Sequence, residues 1–192
     1  MKKIILIIGL FLAFLDCKSQ DNVILNGVYY DSICIYPNTV WVKKASGELI
    51  CDEYYPTVEW NGKLCMNKNL HCTDGGSGIY SYDNDPTISA EYGYLYTYAA
   101  AIRIDALIEG WHIITIADII YESGNLPEGW NHQFAGNRTS GGTYQYIDMV
   151  AHYWNEEINA TNANGMRTMT PLSYLRFQNN KTNAVSVRLI KD

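Results

Sequence analysis

The feature that most constrains the fold is an alanine-rich stretch from Thr97 to Ile108, TYAAAIRIDALI, which lies between segments of a different pattern. Its apolar side chains form a broad helical face, and alanine both favours helix and allows close packing, so we predict a helix that ends at Gly110. The segments VYYDSICIY at 28–36 and AVSVRLI at 184–190 are typical of strands, because they alternate and are rich in β-branched and aromatic residues. Strands, helices and strands in that order predict a single α+β domain with mixed, mostly antiparallel short strands.

A second, shorter helix is predicted from Thr115 to the residue before Gly124, making two in all. Thr115 and Asp118 have the spacing of a capping box, in which a side chain at each end of the first turn caps the backbone of the other. Residues 73–91 are predicted as a loop, because Gly, Ser, Asp and Pro cluster there.

A polar segment, 155–171, lies between strand candidates at 150–154 and 173–177. We predict that it forms a long loop, and loops of that length inside a compact domain are usually functional or disordered. The chain has 16 tyrosines and five tryptophans, whose flat faces suit sugar rings, while Asn, Ser and Thr offer adaptable hydrogen bonds. This pattern favours a recognition site on the loop, and the competing interpretation is a β-rich core with amphipathic edges.

Residues 1–16 are predicted to be an export signal. An apolar run from Ile4 to Leu15 follows two lysines, and its 12 residues are too few to span a bilayer, which takes about 20. Cys17 follows the run, as the lipidated first residue does in bacterial lipoproteins, although Asp16 stands where those signals have a small residue. We therefore predict a lipid on Cys17 and a tether over 17–27; the alternative is a plain secretory signal with an incidental cysteine.

The net charge is −6, and the charged residues are dispersed along the chain. Binding of nucleic acid needs clustered Lys and Arg, so the composition argues against a nucleic-acid partner and against electrostatic docking on anionic lipid. Attachment to a membrane would therefore come through the lipid on Cys17.

Four further cysteines are candidates for disulfides, since an even number in an exported protein is typical of such bonds. They are Cys34, Cys51, Cys65 and Cys72. Four cysteines allow three connectivities, of which we expect the most local, Cys34 with Cys51 and Cys65 with Cys72. The sequence contains no CxxC, so the spacings do not resemble a zinc knuckle.

Several motifs in order along the chain resemble one known family. They are YPTVEWNGKLCMNKNL (55–70), YDNDPTISAEYGYLYTYAAA (82–101), EGWH (109–112), FAGNRTSGG (134–142), HYW (152–154) and VSVRLIKD (185–192). Together they resemble the Fibrobacter succinogenes major paralogous (FISUMP) domain over about residues 42–192. The chain departs from that family where Ile113-Ile114 replaces the usual Pro after Gly-Trp-His-x, and in having no cysteine just before Gly-Trp-His.

The resemblance implies a fold like that of C-type lectins and the formylglycine-generating enzyme, and an exported lipoprotein of the outer membrane, on its periplasmic or cell-surface face. It implies a domain over 28–192, in which 28–41 is an N-terminal β extension outside the match. It also implies scaffold roles for a set of motif residues, in which His112 is a structural residue and not a catalyst. These are Tyr92, Gly93, Leu95, Tyr96, Gly110, Trp111 and His112.

The sequence favours a protein that is not an enzyme. The copper-binding cysteine pair of the related oxidase has no equivalent, since no cysteine follows Cys72, and no Gly-x-Ser-x-Gly motif occurs. The histidines have no i,i+4 pair, so no metal site and no cofactor are predicted. Calcium is the alternative: Trp154-Asn155-Glu156-Glu157 resembles the Trp-Asn-Asp segment of lectins, but aligns with an earlier strand where lectins bind no calcium.

The function predicted from these observations is recognition of a glycan or protein ligand by a surface-anchored module. The alternative is a structural accessory subunit of an outer-membrane protein assembly. The residues predicted to contact ligand lie at the start of the polar segment and along it. They are Tyr153, Trp154, Asn155, Glu156, Asn159, Asn162, Asn164 and Arg167.

Overall fold

The computed structural model describes residues 18–25, 28–35, 39–43, 49–108, 110–115, 117–118, 123–170 and 173–192. The predicted signal over 1–16 and the predicted lipidation site Cys17 lie outside these residues. Within them the chain forms sixteen strands, two α-helices and a short 3₁₀ turn over Tyr82–Asn84.

The strands are short, apart from one of 12 residues. In chain order they are β1 (Lys18–Leu25), β2 (Val28–Ile35), β3 (Thr39–Lys43), β4 (Leu49–Trp60), β5 (Lys63–Met66), β6 (Ile79–Tyr80), β7 (Leu95–Thr97), β8 (Trp111–Ile113), β9 (Ser123–Asn125), β10 (Ala135–Arg138), β11 (Tyr144–Ile147), β12 (Ala151–Glu157), β13 (Asn162–Thr170), β14 (Ser173–Asn180), β15 (Ala184–Val185) and β16 (Leu189–Lys191). The helices are α1 (Pro86–Tyr92) and α2 (Tyr98–Asp105).

The strands form three sheets. Strands β1 and β2 form a two-stranded sheet, and a five-stranded sheet has the order β3-β4-β5-β16-β8. A nine-stranded sheet has the order β6-β7-β15-β10-β12-β13-β14-β9, with β11 paired to β10 outside that order. Every described pair of strands is antiparallel except β10 with β12. The predicted α+β class with mostly antiparallel strands is therefore confirmed.

Helix α2 is the helix predicted from the alanine-rich stretch. The side chain of Thr97 caps its start by accepting a hydrogen bond from the Ala100 N–H at 3.3 Å. Ala100, Ala101 and Ile104 are buried against the sheets, which is the face that the apolar pattern indicated.

Helix α1 begins inside the stretch that the sequence predicted as a loop, so that prediction is wrong for 86–91. Asp85 caps the helix, because its carboxylate accepts a hydrogen bond from the Thr87 N–H at 2.8 Å. Pro86 occupies the first helical position, where its missing N–H costs nothing, and Gly93 follows the end. The Asp-Pro pair was therefore a helix start signal in a stretch whose turn-forming composition hid it.

The helix predicted from Thr115 to 123 is not found at the described residues of that stretch, which are 115, 117–118 and 123. The Asp118 carboxylate does accept hydrogen bonds from the N–H and the hydroxyl of Thr115, at 2.9 and 2.8 Å, which is half of a capping box. Residues 117–118 form a turn, however, and Ser123 already belongs to β9, which pairs with β14. Pairing with the sheet thus overrides the local helical preference.

The polar segment 155–171 does not form a long loop, and this prediction is wrong as well. Its residues complete β12 and form β13, which pairs with β12 on one side and β14 on the other. The connection between β12 and β13 is short, and Asn159 closes it by accepting hydrogen bonds from the N–H groups of Thr161 and Asn162, both at 2.9 Å. Buried Ala163 and Met166 anchor β13, so a few apolar residues among many Asn and Thr suffice for a central strand.

Two clusters of buried side chains form most of the core. The first packs α2 against the sheets and contains Tyr96, Trp154 and Leu189. The second contains the rings of Trp60, Trp130, Tyr153 and Tyr174. Apolar burial contributes about 25 cal/mol per Å², so these aromatic rings dominate the stability of the fold.

The motif residues expected to act as scaffold have packing roles. Gly93 has φ +79°, and a Cβ there would lie 2.8 Å from the Cβ of Asn69, so no larger residue fits. Leu95 and Tyr96 are fully buried, and the Tyr96 hydroxyl accepts a hydrogen bond from the Cys72 N–H at 3.0 Å. Tyr92 ends α1. Gly110 (φ +73°) precedes Trp111, the first residue of β8.

The predicted disulfide between Cys65 and Cys72 is wrong. Cys65 is a free, buried thiol. Cys72 is disulfide-bonded and therefore pairs elsewhere. The side chains of Cys34 and Cys51 lie outside the described part of the chain. Cys65 points into the second core cluster, beside Trp60 and Tyr153, which is why its position near Cys72 in sequence did not make it a partner.

Candidate recognition surface

Three of the residues predicted to contact ligand lie in the interior. Tyr153, Trp154 and Asn155 are each no more than 2% exposed. The Trp154 indole N–H donates to the carbonyl oxygen of Tyr96 at 2.6 Å, and the Asn155 side-chain amide donates to the carbonyl oxygen of Ile114. These side chains hold strands together and have no surface to offer a ligand.

The other predicted ligand residues do not converge on one site. Glu156 and Asn159 are exposed, and Asn159 is occupied in closing the turn. Asn162 and Asn164 are partly exposed on one face of β13, while Arg167 lies on the opposite face. The prediction placed them on one loop, and the strand pairing separates them.

His112 is held between two carboxylates. Its Nδ1 lies 2.6 Å from Asp192 Oδ1 and its Nε2 lies 3.1 Å from Asp118 Oδ2. Lys63 Nζ lies 2.8 Å from the other Asp118 oxygen. Burial raises the pKa of Asp118, but hydrogen bonds from Lys63, Thr115 and His112 outweigh it and lower the pKa to about 2. Carboxylates therefore engage both nitrogens of the His112 ring.

Among the described residues, no group of three His, Cys, Asp or Glu side chains is placed to hold a metal ion. No helix of the described part of the chain is long and apolar enough to cross a membrane.

Four tyrosines and an arginine that are at least partly exposed form what we call the tyrosine surface. It consists of Tyr80 at the end of β6, Tyr92 at the end of α1, Arg138 at the end of β10, and Tyr144 and Tyr146 on β11. Beneath it lies a small core of Tyr82, Leu95, Ala135 and Ala184.

Arg138 joins two of these rings. Its guanidinium carbon lies 4.0 Å from the centre of the Tyr80 ring and 5.7 Å from the centre of the Tyr144 ring. Cation–π contacts contribute about 0.5–1 kcal/mol each at exposed sites. The Tyr144 ring also packs on Tyr82, with centres 5.0 Å apart. The rings are thus fixed before any ligand arrives.

Hydrogen bonds fix the phenols at the same surface. The Tyr144 hydroxyl donates to Asn84 Oδ1 at 2.9 Å, and the Tyr92 hydroxyl donates to the carboxylate of Asp148. The bond to Asp148, then burial, raises the pKa of Tyr92 to about 12, so this phenol keeps its proton. Carboxylate and amide oxygens therefore stand beside the rings.

The backbone is strained at this surface. Of the five described non-glycine residues with positive φ, four lie here, and they are Asp83 (+51°), Asn84 (+59°), Tyr146 (+66°) and Asp148 (+61°). Positive φ is costly for a residue with a Cβ and persists only where the surroundings impose it, and such residues cluster at binding and active sites. Gly136 supports the arrangement, because any Cβ there would collide with the carbonyl oxygen of Gln145.

Tyr146 is the ring that this strained backbone presents to solvent. Its side chain is 49% exposed, next to Met149, which is 65% exposed. Sequence reasoning recognised the tyrosine content but placed the site on 155–171. The signal that could have found this surface is the alternation of Tyr144 and Tyr146 after a glycine-rich turn, together with the Asp-Asn-Asp run at 83–85.

No protein-family model matches this chain, and no curated protein or solved structure was found to match it.

Proposed function

We propose that this protein is a non-catalytic recognition module that binds a glycan through the tyrosine surface. The observation that carries the proposal is the pair of Tyr80 and Tyr144 rings, which Arg138 joins. The exposed Tyr146 follows two residues after Tyr144 on β11, on left-handed backbone. Tyrosine supplies a rigid, amphipathic contact area at little cost in conformational entropy, and Asn84 and Asp148 place hydrogen-bonding oxygens next to it. Rings with polar groups at their edges suit the faces and hydroxyls of a sugar.

The rest of the proposal follows from the sequence. The protein is exported, lipidated at Cys17 and anchored at the outer membrane, on its periplasmic or cell-surface face, and its domain has a C-type-lectin-like fold. The support for these points is the apolar run before Cys17 and the family motifs from residue 55 to 192. Sugar binding in this proposal needs no calcium, because the tyrosine surface acts through rings and hydrogen bonds.

The test is binding of the purified full-length chain, kept in mild detergent, to a glycan array, followed by titration of the best glycan. Tyr146→Ala should weaken binding at least about tenfold, which corresponds to about 1.4 kcal/mol. Ile102→Ala is the matched control, because Ile102 is 43% exposed on α2 and takes no part in the tyrosine surface. Equal glycan binding by Tyr146→Ala and Ile102→Ala would contradict the proposal.

A second candidate is an accessory subunit of an outer-membrane protein assembly. The observation that favours it is the exposure of Met149 and Met169, which are 65% and 56% exposed, since exposed apolar side chains are common at protein interfaces. This candidate predicts co-purification with an integral membrane protein, lost in Met149→Ser. A protein that binds no glycan and co-purifies with such a partner would replace the first proposal with the second.

A further inference from the structure

A fully buried arginine, Arg188, packs against the second core cluster and has no acidic partner among the described residues. Arg188, between β15 and β16, is 0% exposed, and none of the ion pairs of the described residues includes it. Its Nε donates to Asn69 Oδ1 at 2.9 Å and its Nη2 donates to the carbonyl oxygen of Asn131 at 2.5 Å. Its Nη1 has no hydrogen-bond partner in the described part of the chain.

The groups around Arg188 do not neutralise it. Burial raises the pKa of the Cys65 thiol to about 12 and raises the pKa of the Tyr153 phenol, so both stay uncharged. The Trp130 indole also acts on the Tyr153 phenol as a hydrogen-bond donor, so neither group offers Arg188 a negative charge. A buried charge is costly unless it is paired and hydrogen-bonded, and a guanidinium keeps its charge at any physiological pH. Arg188 is therefore a buried cation, and an anion would be a suitable partner for it.

The faces of the Trp130 and Tyr153 rings stabilise the buried Arg188 charge in part. The guanidinium carbon lies 4.1 Å from the centre of a Trp130 ring and 5.3 Å from the centre of the Tyr153 ring. Cation–π contacts of this kind contribute less than the burial of an ion costs, so they offset that cost only in part. The contact of Trp130 with the Arg188 guanidinium is thus weaker than an ion pair between that guanidinium and an anion would be.

A pocket of about 590 Å³ lies on Trp130. Its walls are largely apolar, with Glu128 at an exposed position of the same segment. The lining residues are Asn125, Leu126, Pro127, Glu128, Gly129, Trp130 and His132. Ligand pockets are typically about 300–1,000 Å³, apolar, with a few polar groups that fix the orientation. Since Trp130 both lines the pocket and packs on Arg188, and Asn131 accepts from Arg188, the guanidinium lies directly behind the pocket wall.

We propose that this pocket binds a monocarboxylic acid with an apolar body, and that its carboxylate pairs with Arg188. The apolar body lies against Leu126 and Pro127. Trp130 turns from Arg188 to admit the carboxylate, which accepts a hydrogen bond from the free Nη1. A single negative charge fits best, because only this one nitrogen is free and Glu128 would repel a second charge. This site is separate from the tyrosine surface, so either proposal can fail without the other.

The probe is octanoate, with octanol as an uncharged partner of similar length, each titrated calorimetrically into the full-length protein at pH 7.4. Octanoate should bind saturably, and octanol at least about tenfold more weakly. Arg188→Met should weaken octanoate binding at least tenfold and leave the weak octanol binding unchanged. Ile102→Ala, remote from the pocket, should match the natural chain for both compounds.

A second variant keeps the test decisive if Arg188→Met does not fold. Asn125→Trp fills the pocket from an exposed position of β9 and should abolish octanoate binding without changing the core. Binding of octanol as tight as that of octanoate would overturn the proposal. So would octanoate binding that survives in Asn125→Trp, or no binding of octanoate by the natural chain at millimolar concentration.

Discussion

The indole N–H of Trp154 donates a hydrogen bond to the carbonyl oxygen of Tyr96, 2.6 Å away, and both residues are fully buried. Trp154 lies on β12 and Tyr96 on β7, two strands of the nine-stranded sheet that do not pair with each other. The bond therefore links distant strands through the core, and the Tyr98 ring packs edge-on against Trp154 with centres 5.4 Å apart.

Trp154→Phe should lower the free energy of unfolding by about 1–3 kcal/mol, because the buried carbonyl of Tyr96 loses its donor while the apolar ring is largely kept. Trp154→Ala should cost about 3–5 kcal/mol through the cavity that it leaves. Urea unfolding followed by circular dichroism measures both. Ile102→Ala on the exposed face of α2 is the control and should change stability by less than about 0.5 kcal/mol. An unchanged unfolding midpoint for Trp154→Phe would contradict the link.

Gly93→Ala should destabilise the fold by about 3 kcal/mol or more, since the new Cβ would be 2.8 Å from Asn69 Cβ on backbone with φ +79°. Gly75→Ala is a matched control, because Gly75 has φ +75° with nothing within 4 Å of the added Cβ. It should cost only about 1–2 kcal/mol for the left-handed backbone. Thermal unfolding of the two variants separates the collision from the backbone strain, and equal losses would show that close packing at Gly93 contributes nothing.

Acid should weaken the fold through Asp118. Its pKa is lowered from 3.8 to about 2 in the folded chain, so its contribution to stability is complete above about pH 4 and is lost as the pH falls toward 2. Because the Asp118 side chain is only 3% exposed, solvent screens it little, and a pKa shift of this size corresponds to about 2 kcal/mol in the free energy of unfolding. Asp118→Asn should therefore be less stable at pH 7 by about that amount and should converge with the natural chain near pH 2.

Lys63→Met tests the cause of that shift, because Lys63 Nζ lies 2.8 Å from the Asp118 carboxylate. The Lys63→Met variant should lose less stability between pH 4 and pH 2 than the natural chain does. Urea titrations at several pH values measure it. A loss as large as that of the natural chain would assign the shift to Thr115 and His112 alone.

Cys65 should resist alkylation in the folded protein. The thiol is buried, and burial raises its pKa to about 12, so almost no thiolate forms at neutral pH. Iodoacetamide at pH 8 should leave the peptide that contains Cys65 unmodified, as mass spectrometry would show. The same treatment in 8 M urea, about the strongest used for unfolding, should modify it fully. Rapid labelling of the folded chain would mean that the second core cluster opens readily.

The sequence predicted those elements whose local pattern agrees with their tertiary surroundings. Helix α2 has both an apolar face and a capping threonine, and the alternating pattern at the C-terminal end corresponds to β15 and β16. Helix α1 was missed because its cap, Asp85-Pro86, lies in a stretch with the composition of a turn.

The candidate site was less predictable, because tertiary pairing decides which residues reach the surface. The Asn- and Thr-rich segment after Trp154 has the composition of a binding loop, yet its central position between β12 and β14 turns it into a strand. The tyrosine surface combines two stretches that are distant in sequence, 80–92 and 138–146, and only the fold brings Tyr80 to Arg138 and Tyr144. The orphaned nitrogen of Arg188 is likewise a property of packing and has no signature in VSVRLIKD.

The sheet order sets the order in which this chain can assemble. Strand β15 pairs with β7 and β10, and β16 pairs with β5 and β8, so residues 184–191 lie between strands that come much earlier in the chain. Leu70 likewise donates its N–H to the carbonyl oxygen of Val187 at 2.9 Å. Contacts between residues so distant in sequence form slowly, because the chain loses the entropy of closing a long loop before these contacts stabilise it. Nearly the whole polypeptide would therefore have to leave the ribosome before the core could form. Until residues 184–191 emerge, the chain stays unfolded enough to pass through a narrow channel.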